Sequence, residues 1–330
     1  MIASVAFRNF KALRDTQLAL APFNLVVGPN GSGKTSLIQA LLHLRAISRL
    51  PVRASRRRAK PGGTEMVFHF SPPYERIEAR LSCVSDYVCD LLQLNVPASD
   101  PAWKKLRPGL ARIRSFLFDH YAMAVPARRA AGAELSTNAA NLAAVLARWR
   151  EKHPAAFAAL QAEFLRIEPD FSALEFQPAG RGEVGLAAVL DDGGEIVTAE
   201  NLSQGALYLL ALLALAFDPQ PPAIVCIEEL DRGLHPRMLR EARDALYRLS
   251  HPEAFGMSRP PVQVIATTHS PYLLDLFKDH PEEVVIAQKR GRAAYFERLA
   301  DRADLRDLLA EGPLGDLWFS GILGGVPEEK

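Results

Sequence analysis

The chain has 330 residues, of which 48% are hydrophobic and 23% are charged, and its formal net charge is +1. This composition is ordinary for a globular protein and excludes wholesale disorder, collagen-like and coiled-coil architectures. The net charge excludes a generally basic nucleic-acid coat, but it hides an asymmetry. Residues 1–150 contain 22 Lys and Arg against 9 Asp and Glu, whereas residues 151–330 contain 17 against 29. Such asymmetry suggests two surfaces with different partners.

Cysteine content and hydropathy predict a soluble, cytoplasmic protein. Cys83, Cys89 and Cys226 are too few and too irregularly spaced for a disulfide framework or a zinc site, so we expect reduced thiols. The first residues alternate as a strand does and lack the apolar core of a signal peptide. The longest apolar run, Ala206–Phe217, falls short of the roughly 20 residues that span a bilayer, which predicts a buried helix and no membrane partner.

The predicted elements begin with three short strands in the first 27 residues, of which Phe23–Val27 is continuously apolar. A Gly-rich turn and a helix over 34–48 follow. Residues 49–63 are rich in Arg, Pro and Gly and predict an exposed loop. Further strands are predicted at 65–70, 75–83 and 86–96.

From about residue 98 to 170 the composition shifts towards Ala, Leu and Arg, which indicates a helical insertion. Beyond it, short apolar strands alternate with helices, a pattern typical of a parallel α/β sheet. The predicted helices cover 138–150, 154–167, 203–217, 236–249 and 271–277, and the predicted strands cover 172–177, 183–190, 195–199, 223–227, 262–267 and 283–287.

The first chemical motif is G-x-x-x-x-G-K-[ST], which Gly28–Thr35 satisfies between a buried strand and a helix. Glycines let successive backbone N–H groups point at phosphate oxygens, and the helix N-terminus adds positive charge. Lys34 is expected to reach the β- and γ-phosphates, and the Thr35 hydroxyl to bind Mg²⁺. The sequence therefore predicts a nucleotide site formed by Asn30, Gly31, Ser32, Gly33, Lys34, Thr35 and Ser36.

Two later strands end in polar residues that suit a phosphate site. Glu228 and Glu229 follow the apolar strand 223–227, so that the first can hold Mg²⁺ through water and the second can orient or deprotonate an attacking water. His269 follows another apolar strand and can bond the γ-phosphate. The alternatives are ordinary surface acids and, for His269, a neighbour of the Ser270 helix cap.

The helix over 203–217 begins at Ser203-Gln204-Gly205. Ser203 and Gly205 can form an ordinary cap and flexible start, or a second anion-binding helix N-terminus. Two phosphate-binding helix starts far apart in one chain suggest that the nucleotide lies between two subunits.

The order of these motifs resembles the ABC-type ATPase heads, in which they are Walker A, the signature, Walker B with a catalytic glutamate, and the switch histidine. The opening Phe7–Leu13 looks like the SMC/RecF-like branch of that family. The stretch Glu228–Pro236 is similar to the predicted AAA-family ATPases of bacteria, which include the ATPase portion of OLD-type proteins. The resemblance implies a P-loop NTPase of ABC-ATPase type, with α/β architecture. A mostly parallel central sheet, an antiparallel β subdomain and a short helical insertion are expected.

The resemblance implies a single ATPase head with an N-terminal lobe over 1–97, a helical insertion over 98–170 and a C-terminal lobe over 171–330. Three features depart from the family pattern. Glu228 replaces the commoner Asp, Leu230 stands where proline is common, and Gln93 is the one candidate for the Q-loop glutamine, unless it is simply a polar residue of a strand.

By the same resemblance, ATP and Mg²⁺ are bound in a head-to-tail homodimer. Glu229 acts as general base, His269 positions the γ-phosphate, Thr35 and Glu228 serve the metal, and Ser203 and Gly205 come from the second subunit. Any effector nuclease is expected in trans, because only 61 residues follow His269.

Double-stranded DNA is a candidate partner because two stretches are basic. The first contains Arg56, Arg57 and Arg58, and the second runs from Lys104 to Arg114. Both can equally be solvated surface. Three functions therefore remain open: a DNA-associated ATPase of repair or bacterial defence, a nucleotide-gated regulator or adaptor without DNA, and the ATPase subunit of a transporter.

Overall fold

The computed structural model describes residues 1–50, 62–132 and 134–324. Its helices and strands are numbered in chain order. The strands are β1 Ile2–Phe10, β2 Leu13–Ala19, β3 Phe23–Val27, β4 Thr64–Phe70, β5 Glu78–Ser85, β6 Val88–Leu94, β7 Ile113–Phe116, β8 Ala127–Arg128, β9 Phe171–Pro178, β10 Glu183–Leu190, β11 Ile196–Thr198, β12 Ile224–Ile227, β13 Gln263–Thr268, β14 Val284–Arg290 and β15 Ala293–Arg298. The helices are α1 Lys34–Arg49, α2 Pro101–Leu110, α3 His120–Ala124, α4 Leu142–Lys152, α5 Pro154–Ile167, α6 Gln204–Ala216, α7 Leu239–Ser250, α8 Pro271–Asp275, α9 Leu305–Glu311 and α10 Leu314–Phe319.

The chain forms two compact units. The first contains Met1–Ser115, Pro222–Leu230 and Ser258–Lys330, and the second contains Phe116–Pro221 and Asp231–Met257. These bounds differ from those of the lobes proposed from the sequence, because strands from both ends of the chain enter one sheet.

The first unit is built on an 11-stranded mixed sheet in the order β6-β5-β4-β1-β2-β15-β14-β3-β13-β12-β7. Strands β14, β3, β13 and β12 run parallel to one another. Strands β6, β5, β4, β1 and β2 pair antiparallel. The predicted α/β fold with parallel and antiparallel parts is therefore confirmed, and the antiparallel strands continue the same sheet.

The parallel strands form the buried centre of this sheet. Every residue of β3, β12 and β13 is buried, as expected for strands covered on both faces. Helix α1 buries Leu37, Leu41 and Leu44, which recur at helical spacing and form one core with residues of the sheet.

Helices α1 and α2 cap each other through two arginines. The Arg107 guanidinium donates to the carbonyls of Ser48 at 2.6 Å and Leu50 at 3.0 Å, at the end of α1. Arg49 in turn donates to the carbonyl of Ala111 at 2.9 Å, just beyond α2. Arg107 belongs to the basic stretch proposed for DNA, but its guanidinium is used to satisfy helix-terminal carbonyls. Lys104 and Lys105 on the same helix are exposed.

The second unit contains a small antiparallel sheet and four longer helices. Strand β10 pairs with β9, β11 and β8. Helix α6 is buried from Ala206 to Ala216, as the apolar run predicted. Helices α4 and α5 begin close to their predicted starts, but the region over 98–170 also contains β7 and β8, which are too short to leave a periodic pattern.

The prediction that all three cysteines are reduced is wrong for two of them. Cys83 and Cys89 form a disulfide across β5 and β6, because the hairpin brings these two positions opposite each other. Cys226 is a free thiol in β12, where burial and then the charge of Glu228 raise its pKa.

Among the residues that the structure describes, none of the helices is both long enough and apolar enough to cross a membrane.

Candidate nucleotide site

The loop between β3 and α1 has the geometry of a phosphate cradle. Gly31 and Gly33 have φ angles of +76° and +95°, in the left-handed region that glycine adopts without strain. A Cβ atom at Gly28 would lie 2.3 Å from the carbonyl oxygen of Ala287 on the neighbouring strand β14. The glycines of the motif are thus required by backbone conformation at two positions and by close packing at a third.

Lys34 is the first residue of α1 and its side chain folds back over the loop. The ammonium donates to the carbonyls of Gly28 at 2.7 Å and Pro29 at 3.0 Å. Only 9% of the residue is exposed. The positive charge is therefore held within the loop, at the N-terminal end of a helix whose dipole adds to it.

The Thr35 hydroxyl donates to a carboxylate oxygen of Glu228 at 2.9 Å. These residues lie 193 positions apart in the chain, and the sheet order brings them together. Strands β3 and β12 flank β13 and all three run parallel, so their carboxyl ends open at one edge of the sheet. The first Walker B acid thus meets the Walker A hydroxyl despite being Glu rather than Asp.

Glu229 is held in a rare backbone conformation. Its φ is +54°, which costs a residue other than glycine about 1–2 kcal/mol. Its N–H donates to the Thr267 hydroxyl at 3.0 Å, and the next N–H, of Leu230, donates to the Thr267 carbonyl at 2.9 Å. Thr267 therefore positions Glu229, whose side chain is exposed.

His269 follows β13 and is exposed at the same edge. The next residue, Ser270, accepts a hydrogen bond from the Leu273 N–H at 3.3 Å and so caps α8. Thr268 accepts from the Ser270 N–H at 2.9 Å. The helix cap proposed for Ser270 exists, and it leaves the imidazole of His269 directed to the cleft described next.

A cleft of about 320 Å³ joins these groups. It is lined by nine of the predicted residues and by three others. The predicted ones are Asn30, Gly31, Gly33, Lys34, Thr35, Ser36, Glu228, Glu229 and His269, and the others are Lys11, Ala12 and Thr267. The side chain of Ser32 does not line the cleft, because it is buried beneath the loop against Gly28.

Lys11 and Thr267 are the site residues that sequence reasoning missed. Lys11 lies in the turn between β1 and β2, and its ammonium is hydrogen-bonded to Gln39 of α1. The only available signal was a basic residue within the Phe7–Leu13 family marker. Thr267 shows only as a hydroxyl at the end of an apolar strand, which is common.

These residues fit a magnesium nucleotide. The hydroxyl of Thr35 and the carboxylate of Glu228 are hard oxygen donors, and Mg²⁺ is usually bound by one or two such groups with water and substrate phosphates. The close approach at Gly28 keeps the loop backbone exposed as an anion cradle that a Cβ would fill.

Ser203 and Gly205 belong to the second unit and form the start of α6. Ser203 accepts from the Ala206 N–H at 3.0 Å and is the N-cap. A Cβ at Gly205 would lie 3.2 Å from the sulfur of Met238 and 3.4 Å from the carbonyl of Gly233. The signature-like motif is thus a capped helix start whose glycine permits close packing.

Two other sequence proposals can be placed. Gln93, the Q-loop candidate, lies on β6 opposite Arg80 in the antiparallel part of the sheet and does not line the cleft. Arg56, Arg57 and Arg58 lie outside the described residues.

A P-loop, acids after a neighbouring parallel strand and a histidine after the strand between them define a P-loop NTPase of ABC-ATPase type. The chain belongs to the family described as "AAA domain, putative AbiEii toxin, Type IV TA system", which matches residues 93–275, more than half its length. Residues 1–62 match a second family, described as "AAA ATPase domain".

Known relatives are similar over short regions. The chain is 32% identical over 127 residues to the OLD nuclease of Thermus scotoductus, which is 33% of this chain and 23% of that protein. It is 46% identical over 44 residues to the DNA replication and repair protein RecF of Erwinia tasmaniensis, which is 13% of this chain and 12% of that one. The chain thus spans less than a quarter of either curated relative.

Solved SMC heads share the fold. One, bound to the C-terminal winged-helix domain of ScpA, aligns with a TM-score of 0.57 at 16% identity, covering 90% of this chain and 96% of the other. Another, derived from Pyrococcus furiosus, gives 0.56 at 14%, covering 94% and 98%. The predicted resemblance to the SMC/RecF/OLD-like branch of ABC-type ATPases is confirmed.

We expect Gly28→Ala to destabilise the protein by about 3 kcal/mol, because its methyl group would overlap the carbonyl of Ala287 on β14. Gly31→Ala in the same loop is the matched control. It has open space and suffers only the left-handed φ, at about 1 kcal/mol. Urea denaturation measures both, and equal losses would contradict the close approach at Gly28.

Proposed function

We propose that the protein binds ATP with Mg²⁺ and hydrolyses it to ADP and phosphate, working as a nucleotide-dependent homodimer coupled to DNA. The observation that carries the proposal is the 2.9 Å hydrogen bond between Thr35 and Glu228. It joins the two motifs that every P-loop ATPase uses for its metal, inside the cleft that also contains Lys34, Glu229 and His269.

The binding half follows from the loop. Backbone N–H groups and Lys34 hold the phosphates, and Thr35 with Glu228, the latter through water, holds Mg²⁺. When bound, the metal neutralises charge on the β- and γ-phosphates. Lys34 exchanges its two carbonyl partners for phosphate oxygens, which are stronger acceptors because they are charged.

The hydrolytic half depends on Glu229. Its carboxylate accepts a proton from a water molecule as the water oxygen attacks the γ-phosphorus, and the bond from that phosphorus to the bridging oxygen of ADP breaks. Thr267 fixes the backbone from which Glu229 extends. His269 donates a hydrogen bond to a γ-phosphate oxygen and so stabilises the charge that develops there.

The dimer proposal rests on two separate helix starts. Glu229 and His269 are exposed, and Ser203 provides a capped N-terminus suited to a second anion contact. We propose that Ser203 and Gly205 of one subunit close over the phosphates held by the other. SMC heads of this fold are known bound to ScpA, which supports an effector protein in trans as a further partner.

Glu229→Gln is expected to lower ATP turnover at least about 100-fold while ATP affinity is retained, because the amide cannot accept the proton from water. The uncleaved nucleotide should then accumulate the dimer, seen by light scattering after gel filtration. Glu253→Gln, the same change at an exposed position, is the control and should turn over like the wild type. Wild-type turnover in Glu229→Gln would remove Glu229 from the role of general base.

Mixing two inactive variants tests whether each site is shared between subunits. Lys34→Ala and Ser203→Arg should each be inactive alone. In a mixed dimer, one site receives both defects and the other receives neither, so an equal mixture should recover about a quarter of wild-type turnover, because half the dimers are mixed. If Ser203 served its own chain's nucleotide, the mixture would remain inactive.

Coupling to DNA is supported by the basic first half and by the RecF relative, a DNA replication and repair protein by name. Within the basic stretch 104–114, Lys104 and Lys105 are exposed and free of the helix-capping role that Arg107 has. Contacts would be to the phosphate backbone, because the exposed groups are point charges rather than a base-reading element.

We expect double-stranded DNA to raise ATP turnover and to bind with strong salt dependence. Replacing Arg56, Arg57 and Arg58 together by Ala should flatten the salt dependence by about 0.9 per lost phosphate contact in a plot of log affinity against log salt. Lys104→Ala with Lys105→Ala tests the second stretch separately. Unchanged affinity and turnover would favour a nucleotide-gated regulator that does not use DNA.

A further inference from the structure

The hairpin of β5 and β6 ends in a tip, Val84–Val88, that reaches the nucleotide cleft indirectly. The ring of Tyr87 in this tip lies 4.8 Å from the Lys11 ammonium. That ammonium also bonds Gln39 of α1, and Lys11 lines the cleft. A cation over an exposed aromatic ring gains about 0.5–1 kcal/mol. The tip therefore helps to hold a positive charge at the wall of the cleft.

A second contact ties the tip to the Walker A helix. His43, one turn after Gln39 on α1, is hydrogen-bonded by the backbone of Asp86 in the tip. Burial and then the charge of Lys11 lower the pKa of His43, and the bond to Asp86 partly raises it. The tip thus contacts both α1 and the turn between β1 and β2, which are the two elements that flank the phosphate loop.

The disulfide lies at the base of this tip. Cys83 faces Cys89, and the strand register shifts on both sides of that pair. Beyond the disulfide, the tip retains the pair Ser85 and Val88, and the Ser85 hydroxyl accepts from the Tyr87 N–H at 3.4 Å. Because the ladder is irregular there, the covalent bond is a main constraint on where Tyr87 lies.

Both cysteines are half-buried at the surface, whereas Cys226 is fully buried. Small thiols can therefore reach the disulfide, and accessible disulfides are the ones that exchange and regulate. Cys226 is excluded as an exchange partner by its burial and by the raised pKa of its thiol.

We propose that Cys83 and Cys89 form a redox modification site that controls ATP affinity by holding Tyr87 against Lys11. The inference rests on the proposed function, since it takes ATP as the ligand of the cleft. With the disulfide formed, Lys11 is pre-positioned and loses little freedom when nucleotide binds. With the disulfide reduced, the tip moves away and Lys11 must be ordered by the nucleotide itself.

The chemistry is a two-electron thiol–disulfide exchange with a small-molecule thiol such as glutathione. The thiolate of the first molecule attacks one sulfur, the S–S bond breaks, and the other cysteine leaves as a thiolate that takes up a proton. A second thiol then attacks the mixed disulfide and releases the remaining cysteine. Two thiols are oxidised to one disulfide, and Cys83 and Cys89 are both reduced.

The first measurement uses the full-length protein without nucleotide. Peptide mapping after alkylation should find Cys83 linked to Cys89 in oxidised protein. Hydrogen exchange should then show faster exchange at residues 84–88 and 9–13 after reduction. The double variant Cys83→Ser with Cys89→Ser should exchange like the reduced protein in either buffer. No linked peptide, or identical exchange in both redox states at 9–13, would overturn the proposal.

The second measurement is the ATP dissociation constant by calorimetry, in both redox states. Reduction should weaken binding about three- to tenfold, the cost of ordering one long side chain. Tyr87→Ala should abolish this difference and Tyr87→Phe, which keeps the ring, should retain it. Cys226→Ala should respond to reduction as the wild type does. Equal affinities in the two states, or a response that survives in the double serine variant, would overturn the proposal.

The two measurements separate this inference from the ATPase function. If ATP fails to bind in either state while reduction still alters exchange at residues 9–13, the proposed function is wrong and the redox control of Lys11 stands. If ATP binds equally well to both states, the ATPase stands and the redox control is wrong.

Discussion

The hydrogen bond between Thr35 and Glu228 is the contact on which the arrangement of the site depends. It forms only if the strand before the phosphate loop and the strand before the acids lie parallel, with one strand between them. The central order β3-β13-β12 meets that condition. The same order puts His269 on the middle strand, so the three polar groups share one edge. Sheet topology thus decides which distant residues act together.

Backbone conformation is the second constraint. The phosphate loop needs left-handed residues, and Gly31 and Gly33 supply them without strain. Glu229 adopts a similar conformation at a cost, and the Thr267 hydroxyl and carbonyl stabilise the segment around it. Strain of this kind persists where the surroundings determine the backbone, which is typical of functional sites. Thr267 is therefore part of the site although it carries no charge.

The charge asymmetry takes on a different meaning once the structure is known. The basic and acidic halves of the sequence are not the two compact units, because Pro222–Leu230 and Ser258–Lys330 join the basic N-terminal region in the first unit. The acids Glu228 and Glu229 consequently lie in one cleft with Lys34. Arg107 shows a related limit, since a basic residue in a basic stretch serves to cap a helix rather than to bind a partner.

The sequence by itself determined the phosphate loop, the acids, His269, the buried helix α6 and the fold family, because each is encoded in a few neighbouring residues with a local physical requirement. Only the tertiary structure decided that Lys11 and Thr267 belong to the site and that Cys83 meets Cys89. Those pairings depend on turns, register and strand order, which join positions that carry no common pattern along the chain. Strands β7, β8 and β15 were missed for a related reason, since pairing with neighbouring strands, not periodicity, defines such short segments.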